Sequence, residues 1–246
     1  MTLAALAMLA VFPGSCGGPS GPGPTLPMTV LAASSLKAPF DSIAKKFDAA
    51  QNAATTINYA GTQTLVSQLT QGAPGDVFAS ADVPHMTQLQ IAGLLQGPST
   101  VFAHNRLEIA VEHGNPKGIH TLADLARAGL VVVLADPSVP AGKYAQQVLA
   151  KAGVTVHPAS LEQQVTGVLA KVALGEADAG IVYVSDIVTS GKVDGVTIPD
   201  AQNVIADYPV AVLKSAQNPG LADEFIKFLL SAGGQAIIKT AGFEGA

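Results

Sequence analysis

"TVLAASSLKAPF" (residues 29–40) changes character in its middle. Thr29 to Ala33 is strand-type sequence, two serines follow, and beyond them Phe40, Ile43 and Phe47 recur at i, i+3 and i+7, the apolar spacing of one helix face. That spacing predicts a helix over 36–50. A serine at such a junction can cap the helix, accepting a bond from a backbone N–H that has no partner within the helix. It can also donate its hydroxyl to a ligand while the first N–H groups of the helix point at the same ligand. Ser34 and Ser35 alone leave both readings open.

Strand-type and helix-type segments alternate along the rest of the chain. "TTINYA", "DVFAS", "RLEIAVE", "LVVVLAD", "AGIVYVS", "VTI" and "YPVAVLK" read as strands. Helices are predicted for the segment carrying Leu65, Val66 and Leu69 up to Gly72, then near 86–94, 122–127, 141–152, 166–174 and 221–230. Such alternation implies an α/β protein whose mostly parallel sheet is covered on both faces. In these sheets ligands bind beyond the carboxyl ends of the strands, where helices begin.

Four junctions therefore matter: Ser34–Ser35; Gly61–Thr62 in "NYAGTQTL"; Pro140, Ala141 and Gly142 in "DPSVPAGKYA"; and the helix entry near Val165 in "LEQQVTGVLA". The first three have no Glu or Gln three residues after the presumed cap, so no capping box occupies their first N–H groups. Several helix starts offering hydroxyls and bare amides describe an anion site.

Composition excludes other classes. The chain has 246 residues, 48% hydrophobic and 13% charged, enough for a large core in one or two domains. A net charge of −5 and the absence of Trp give no basic, aromatic-lined surface, so no nucleic-acid partner is expected. "TLAALAMLAVF" (2–12) is too short an apolar run to span a bilayer but suits the hydrophobic region of a signal peptide, and the missing basic segment places the true start upstream. In "PGSCGGPSGPGPTLP" (13–27), ten of fifteen residues are Gly or Pro, the composition of a tether. The only cysteine, Cys16, has no internal partner and is free, paired between chains, or modified. Its placement after Gly14 and Ser15 resembles the lipid-attachment cysteine of bacterial lipoproteins, although Pro13 departs from that signal. The reading is an exported, periplasmic or cell-envelope protein whose only membrane contact is a lipid anchor at Cys16.

Catalytic motifs are missing from the sequence. There is no G-x-S-x-G turn, no phosphate loop and no G-x-G-x-x-G after a strand. His85, His104, His113, His120 and His157 lack ligand spacing, so no metal site by direct side-chain coordination is expected. Asp76 and Asp82 flank a strand and suit bonds to turn amides. No enzyme activity and no cofactor are expected.

Taken together, "TVLAASSLKAPF", "QGAPGDVFASAD", "DPSVPAGKYA", "AGIVYVSD" and "DYPVAVLK" resemble, in order, the periplasmic molybdate-binding proteins (ModA) of bacterial ABC transporters. The resemblance implies the two-domain type II periplasmic-binding-protein fold, with mixed, mostly parallel sheets and a ligand cleft between domains. Domain one would comprise 29–103 plus 207–246, domain two 104–206, and 1–27 the leader and tether. It implies binding of molybdate or tungstate and delivery to an ABC transporter permease, with sulfate or phosphate as the alternative oxyanion. Carried over, the ligand-binding residues are the hydroxyls of Ser35 and Thr62, the backbone amides at Ala141 and Val165, and Tyr183; Ser34 becomes a spacer or cap. Gly61 and Gln63 replace serines often found beside the second hydroxyl, and Lys143 stands where relatives often have an uncharged residue. A set of donors only suits a fully deprotonated dianion, compensating its charge by dipoles rather than a salt bridge.

Overall fold

The computed structural model describes residues 25–246. Cys16, the apolar run and nearly all of the Gly/Pro-rich segment lie outside the described residues. The first strand, β1 (Leu26–Ala33), already takes in Leu26 and Pro27, the last two residues of the segment read as tether. It passes through a short 3-10 turn, Ser34–Leu36, into α1 (Lys37–Gln51). The predicted apolar face of α1 is its buried face, with Phe40, Ile43 and Phe47 fully covered. Phe40 and Phe47 both pack on Phe225, with ring centroids 6.0 and 5.3 Å apart. Burial of each such ring contributes about 1.5–3 kcal/mol.

β2 (Ala53–Ala60), α2 (Thr62–Thr70), β3 (Val77–Ala79) and α3 (Val83–Ile91) follow. β1 pairs in parallel with β2 on one side and β3 on the other. A strand so enclosed is buried on both faces, which is why Val30, Leu31 and Ala32 are consecutive core residues. Asp76 leads into β3 and accepts bonds from the Thr29 and Gln217 N–H groups, both 2.7 Å, the amide-tying role its position predicted.

The chain then runs through one long strand, β4 (Thr100–Val111), where the sequence suggested a strand only over 106–112. Its course continues with β5 (Val132–Ala135), α4 (Pro140–Ala152), β6 (Ser160–Glu162), α5 (Val165–Ala173), β7 (Ala179–Tyr183), α6 (Val184–Ser190) and β8 (Asp194–Thr197). β9 (Ile205–Val212), α7 (Pro219–Leu230), α8 (Ala232–Thr240) and β10 (Glu244–Gly245) close it. The strand order is β2-β1-β3-β9-β4-β7-β5-β6.

β4 changes partner along its length. Thr100 to Arg106 pair antiparallel with β9, whereas Leu107 to Val111 pair with β7 and, from Glu108, with β8. The carboxyl ends of β1 and β2 on one side, and of β5 and β7 on the other, lead to one cleft. Contact across it is direct: the Gln63 amide Nε2 donates to the Gln163 carbonyl at 2.8 Å. Gly61 lies beneath, and a Cβ there would collide with that same carbonyl oxygen. No helix among the described residues is long and apolar enough to cross a membrane.

Candidate functional site

Four of the cleft's helical segments start at one small cavity of about 10 Å³. Its lining includes Ser34, Ser35, Thr62, Ala141, Val165 and Tyr183. All five residues singled out as ligand-binding are therefore brought together, from segments up to 148 residues apart in sequence (183 − 35). Ser34 shares the lining rather than holding the cap position, which belongs to Ala33. Gly61, at one of the four junctions, and Ala81 complete that side of the cavity; Ala81 was missed in the sequence, since it carries no functional side chain. A larger groove, lined by Ala38, Ser42, Lys46 and Ile237 among others, is open to solvent and contains none of the five residues.

The donors are of two kinds. On one wall are the hydroxyls of Ser35 and Thr62, 5% and 1% exposed. Thr62 Oγ1 accepts the Ala81 N–H at 3.3 Å, and Ser35 Oγ lies 3.1 Å from the Tyr208 hydroxyl. On the other wall α4 and α5 start with no side-chain cap, so their leading N–H groups, at Ala141 and at Val165, are not taken up by a cap side chain. Pro140 at the start of α4 fits because its missing N–H would have had no partner inside the helix. Gly142 lets the α4 backbone lie directly against the β5–α4 loop: a Cβ would strike the Asp136 and Ala135 carbonyls.

Tyr183 ends β7, fully buried, and its hydroxyl makes no well-formed hydrogen bond among the described residues, although the Tyr208 hydroxyl lies close to it. An orphaned polar atom of this kind costs about 1–3 kcal/mol unless something fills the space in front of it. Burial raises both the Tyr183 and Tyr208 hydroxyls well above the ordinary phenol range, so both keep their protons and can donate. Just behind the cavity is one acid: Asp186, in the first turn of α6, accepts the Tyr183 N–H at 3.1 Å. Desolvation pushes its carboxyl up to about 7. Lys143 is exposed, turned outward by α4. No group of three or more potential metal ligands occurs among the described residues.

Residues 28–244 match the family of bacterial extracellular solute-binding proteins. The chain belongs to that family. This solute-binding protein is 44% identical over 219 residues to the molybdate-binding protein ModA of Mycobacterium tuberculosis, spanning 88% of this chain and 84% of the relative. Among solved structures, it resembles the substrate-binding domain of a putative molybdenum ABC transporter from Clostridium difficile, at 30% identity and a TM-score of 0.69, covering 90% of this chain and all of that one. The sulfate-binding protein SubI from Mycobacterium tuberculosis matches with a TM-score of 0.83 at 19% identity, over 90% of this chain and 87% of that one, a likeness of fold alone. The fold of this solute-binding protein is thus the two-domain periplasmic-binding-protein fold that its sequence implied.

Proposed function

We propose that this solute-binding protein binds molybdate, and tungstate with it, outside the cytoplasmic membrane and delivers it to the permease of an ABC transporter. The observation that carries the reading is the donor set of the cavity. Serine and threonine hydroxyls, uncapped helix starts and a buried phenol face one space, and no cation is among the described residues that line it. Such a space suits an ion that accepts on every oxygen and has no proton to place. The names of the most similar relatives point to the same ion.

Ser35, Thr62, Ala141, Val165 and Tyr183 are the ligand-binding residues in this reading. The two domains are 29–103 with 207–246, and 104–206, with β4 and β9 as the crossings between them. Closure around the ion would bury it and present one joined surface to the permease. The protein acts by binding rather than by catalysis. Cys16 carries the lipid that holds the mature chain at the membrane; mass spectrometry of the native N-terminus checks this, and an unmodified chain beginning after Cys16 would contradict it.

A thermal-shift panel tests the cargo. Molybdate and tungstate at a hundred times their Kd should add about 2.7 kcal/mol of stability, while phosphate at equal concentration adds none. Sulfate is also fully deprotonated, so it is the discriminating arm: a sulfate shift equal to that of molybdate would move the assignment to a general dianion carrier.

A further inference from the structure

Each hydroxyl on the side-chain wall has one hydrogen-bond partner among the described residues. For Thr62 that partner is the Ala81 N–H, which can only donate. The bond occupies a lone pair of Thr62 Oγ1 and leaves its proton to point elsewhere. For Ser35 the partner is the Tyr208 hydroxyl at 3.1 Å, and the geometry allows either oxygen to be the donor. Ser35 in isolation could therefore offer the cavity either a proton or a lone pair.

Tyr208 is fully buried and its ring is fixed. It stands edge-on to Tyr183, Phe102 and Phe243, with centroids 5.7, 6.4 and 5.2 Å away. Burial, with the nearby Asp186 carboxyl as second cause, keeps its proton on the oxygen. That proton has an acceptor in Ser35 Oγ at 3.1 Å, with the Asn105 side chain and the Tyr183 hydroxyl as its other neighbours.

We propose that Tyr208 is a specificity-determining residue: by donating to Ser35 Oγ it turns the Ser35 proton into the cavity, as the Ala81 N–H does for Thr62, and makes the site reject oxyanions that carry a proton. Molybdate and sulfate need donors only. Hydrogen phosphate needs one acceptor, and a Ser35 held in this orientation does not offer it. The proposal rests on the oxyanion reading above and goes beyond it by assigning the discrimination to a residue that does not line the cavity.

Tyr208→Phe is the test, because it removes the hydroxyl and leaves the ring in its aromatic cage. Calorimetry with molybdate, sulfate and inorganic phosphate on wild type, Tyr208→Phe, Ser35→Ala and the double variant separates the possibilities. Tyr208→Phe should weaken molybdate about fivefold, the effect of one ordinary hydrogen bond, and narrow the molybdate-to-phosphate ratio by at least as much. In the Ser35→Ala background the same change should have no further effect on molybdate. An equal loss for molybdate and phosphate, or an undiminished loss in the Ser35→Ala background, would overturn the proposal and mark Tyr208 as packing alone. A wild type that binds sulfate and not molybdate would instead overturn the cargo reading, and the sulfate-to-phosphate ratio then decides the role of Tyr208.

Discussion

α3, α7 and α8 begin with a side chain bonded to one of their own first N–H groups: Asp82 accepts from His85, Asn218 from Leu221 and Ser231 from Gly234. α1, α2, α4 and α5 begin without one, with Leu36, Gly61, Val139 and Gln164 at the cap position. Three of these, α2, α4 and α5, start at the cavity, and α1 follows the 3-10 turn whose Ser34 and Ser35 line it. A missing cap forgoes about 1 kcal/mol, and three absences at one place leave donors that a bound anion can use. The lesson is that stability withheld from the ligand-free fold is recovered on binding. α6 is the intermediate case, since it starts beside the same cavity yet carries an acid, Asp186, in its first turn.

That acid gives the largest expected effect. Burial raises the Asp186 carboxyl from 3.8 to about 7, worth on the order of 4 kcal/mol. Between about pH 4 and 7 the folded protein holds a proton that the unfolded chain has released. Stability through this group is therefore greatest at low pH, falls as pH rises through that window, and is level above it. Asp186→Asn keeps an acceptor for the Tyr183 N–H and carries no charge. It should raise the Tm most at pH 8, clearly less at pH 5 and hardly at all near pH 4; equal shifts at pH 8 and near pH 4 would show that Asp186 is not a buried titrating acid.

Next in size is the side-chain wall. Ser35→Ala and Thr62→Ala each remove a hydrogen bond to a charged ligand, about 1.5–3 kcal/mol, or one to two powers of ten in molybdate affinity. Val165→Ala, on the backbone wall, keeps its N–H and should cost less than either. Calorimetry on the three variants sharpens the division between walls, and a Val165→Ala loss as large as that of Ser35→Ala would erase it.

Much of this was legible before any coordinates. The 3.6-residue periodicity of α1 and the strand-to-helix junctions located Ser35, Thr62, Ala141 and Val165, each where a strand's carboxyl end meets a helix, and the resemblance to the molybdate-binding proteins added Tyr183 and the ligand roles. What escaped was non-local. "AGIVYVS" reads as one strand, yet β7 stops at Tyr183 because Asp186 takes up the Tyr183 N–H and starts α6. Paired glycines hid α8; Gly234 is there because a Cβ would collide with the Phe228 carbonyl where α8 packs against the end of α7. The partner change in β4 leaves no mark at Arg106 or Leu107, since strand propensity runs unbroken through both. Tyr208 was part of a recognised block, but its partner Ser35 is 173 residues away.

A direct way to break the comparison is to cap an uncapped helix. Gln164→Asp places a carboxylate at the start of α5, where it can accept the first free N–H groups and favour the helix dipole. The ligand-free protein should gain up to about 1 kcal/mol, and molybdate affinity should fall by about tenfold as the new charge faces the dianion. Asn218→Ala, at the start of α7, should do the reverse, losing about 1 kcal/mol of stability with affinity unchanged. Thermal melts and calorimetry on the pair check both halves; a Gln164→Asp variant that binds molybdate normally would show that the start of α5 is not part of the site.

The smallest expected effect belongs to Lys143, the residue that could turn a dipole site into a charge site. It follows Gly142 in the first turn of α4, close in sequence to Ala141, and its charge is opposite to that of the ion. Proximity along the chain is not direction, however. Ala141 and Gly142 are buried at the cavity side of the helix while Lys143 is exposed to solvent, where water and salt screen its charge. A screened ammonium contributes little to a buried ion, so Lys143→Ala should change molybdate affinity by less than about twofold, below 0.5 kcal/mol. Raising the ionic strength should reduce even that difference, because only long-range attraction remains to be lost. Calorimetry at low and high salt is the measurement. A tenfold loss that persists in salt would mean that the ammonium reaches the ion when the cleft binds it, and that hydroxyls and helix starts do not hold the charge alone.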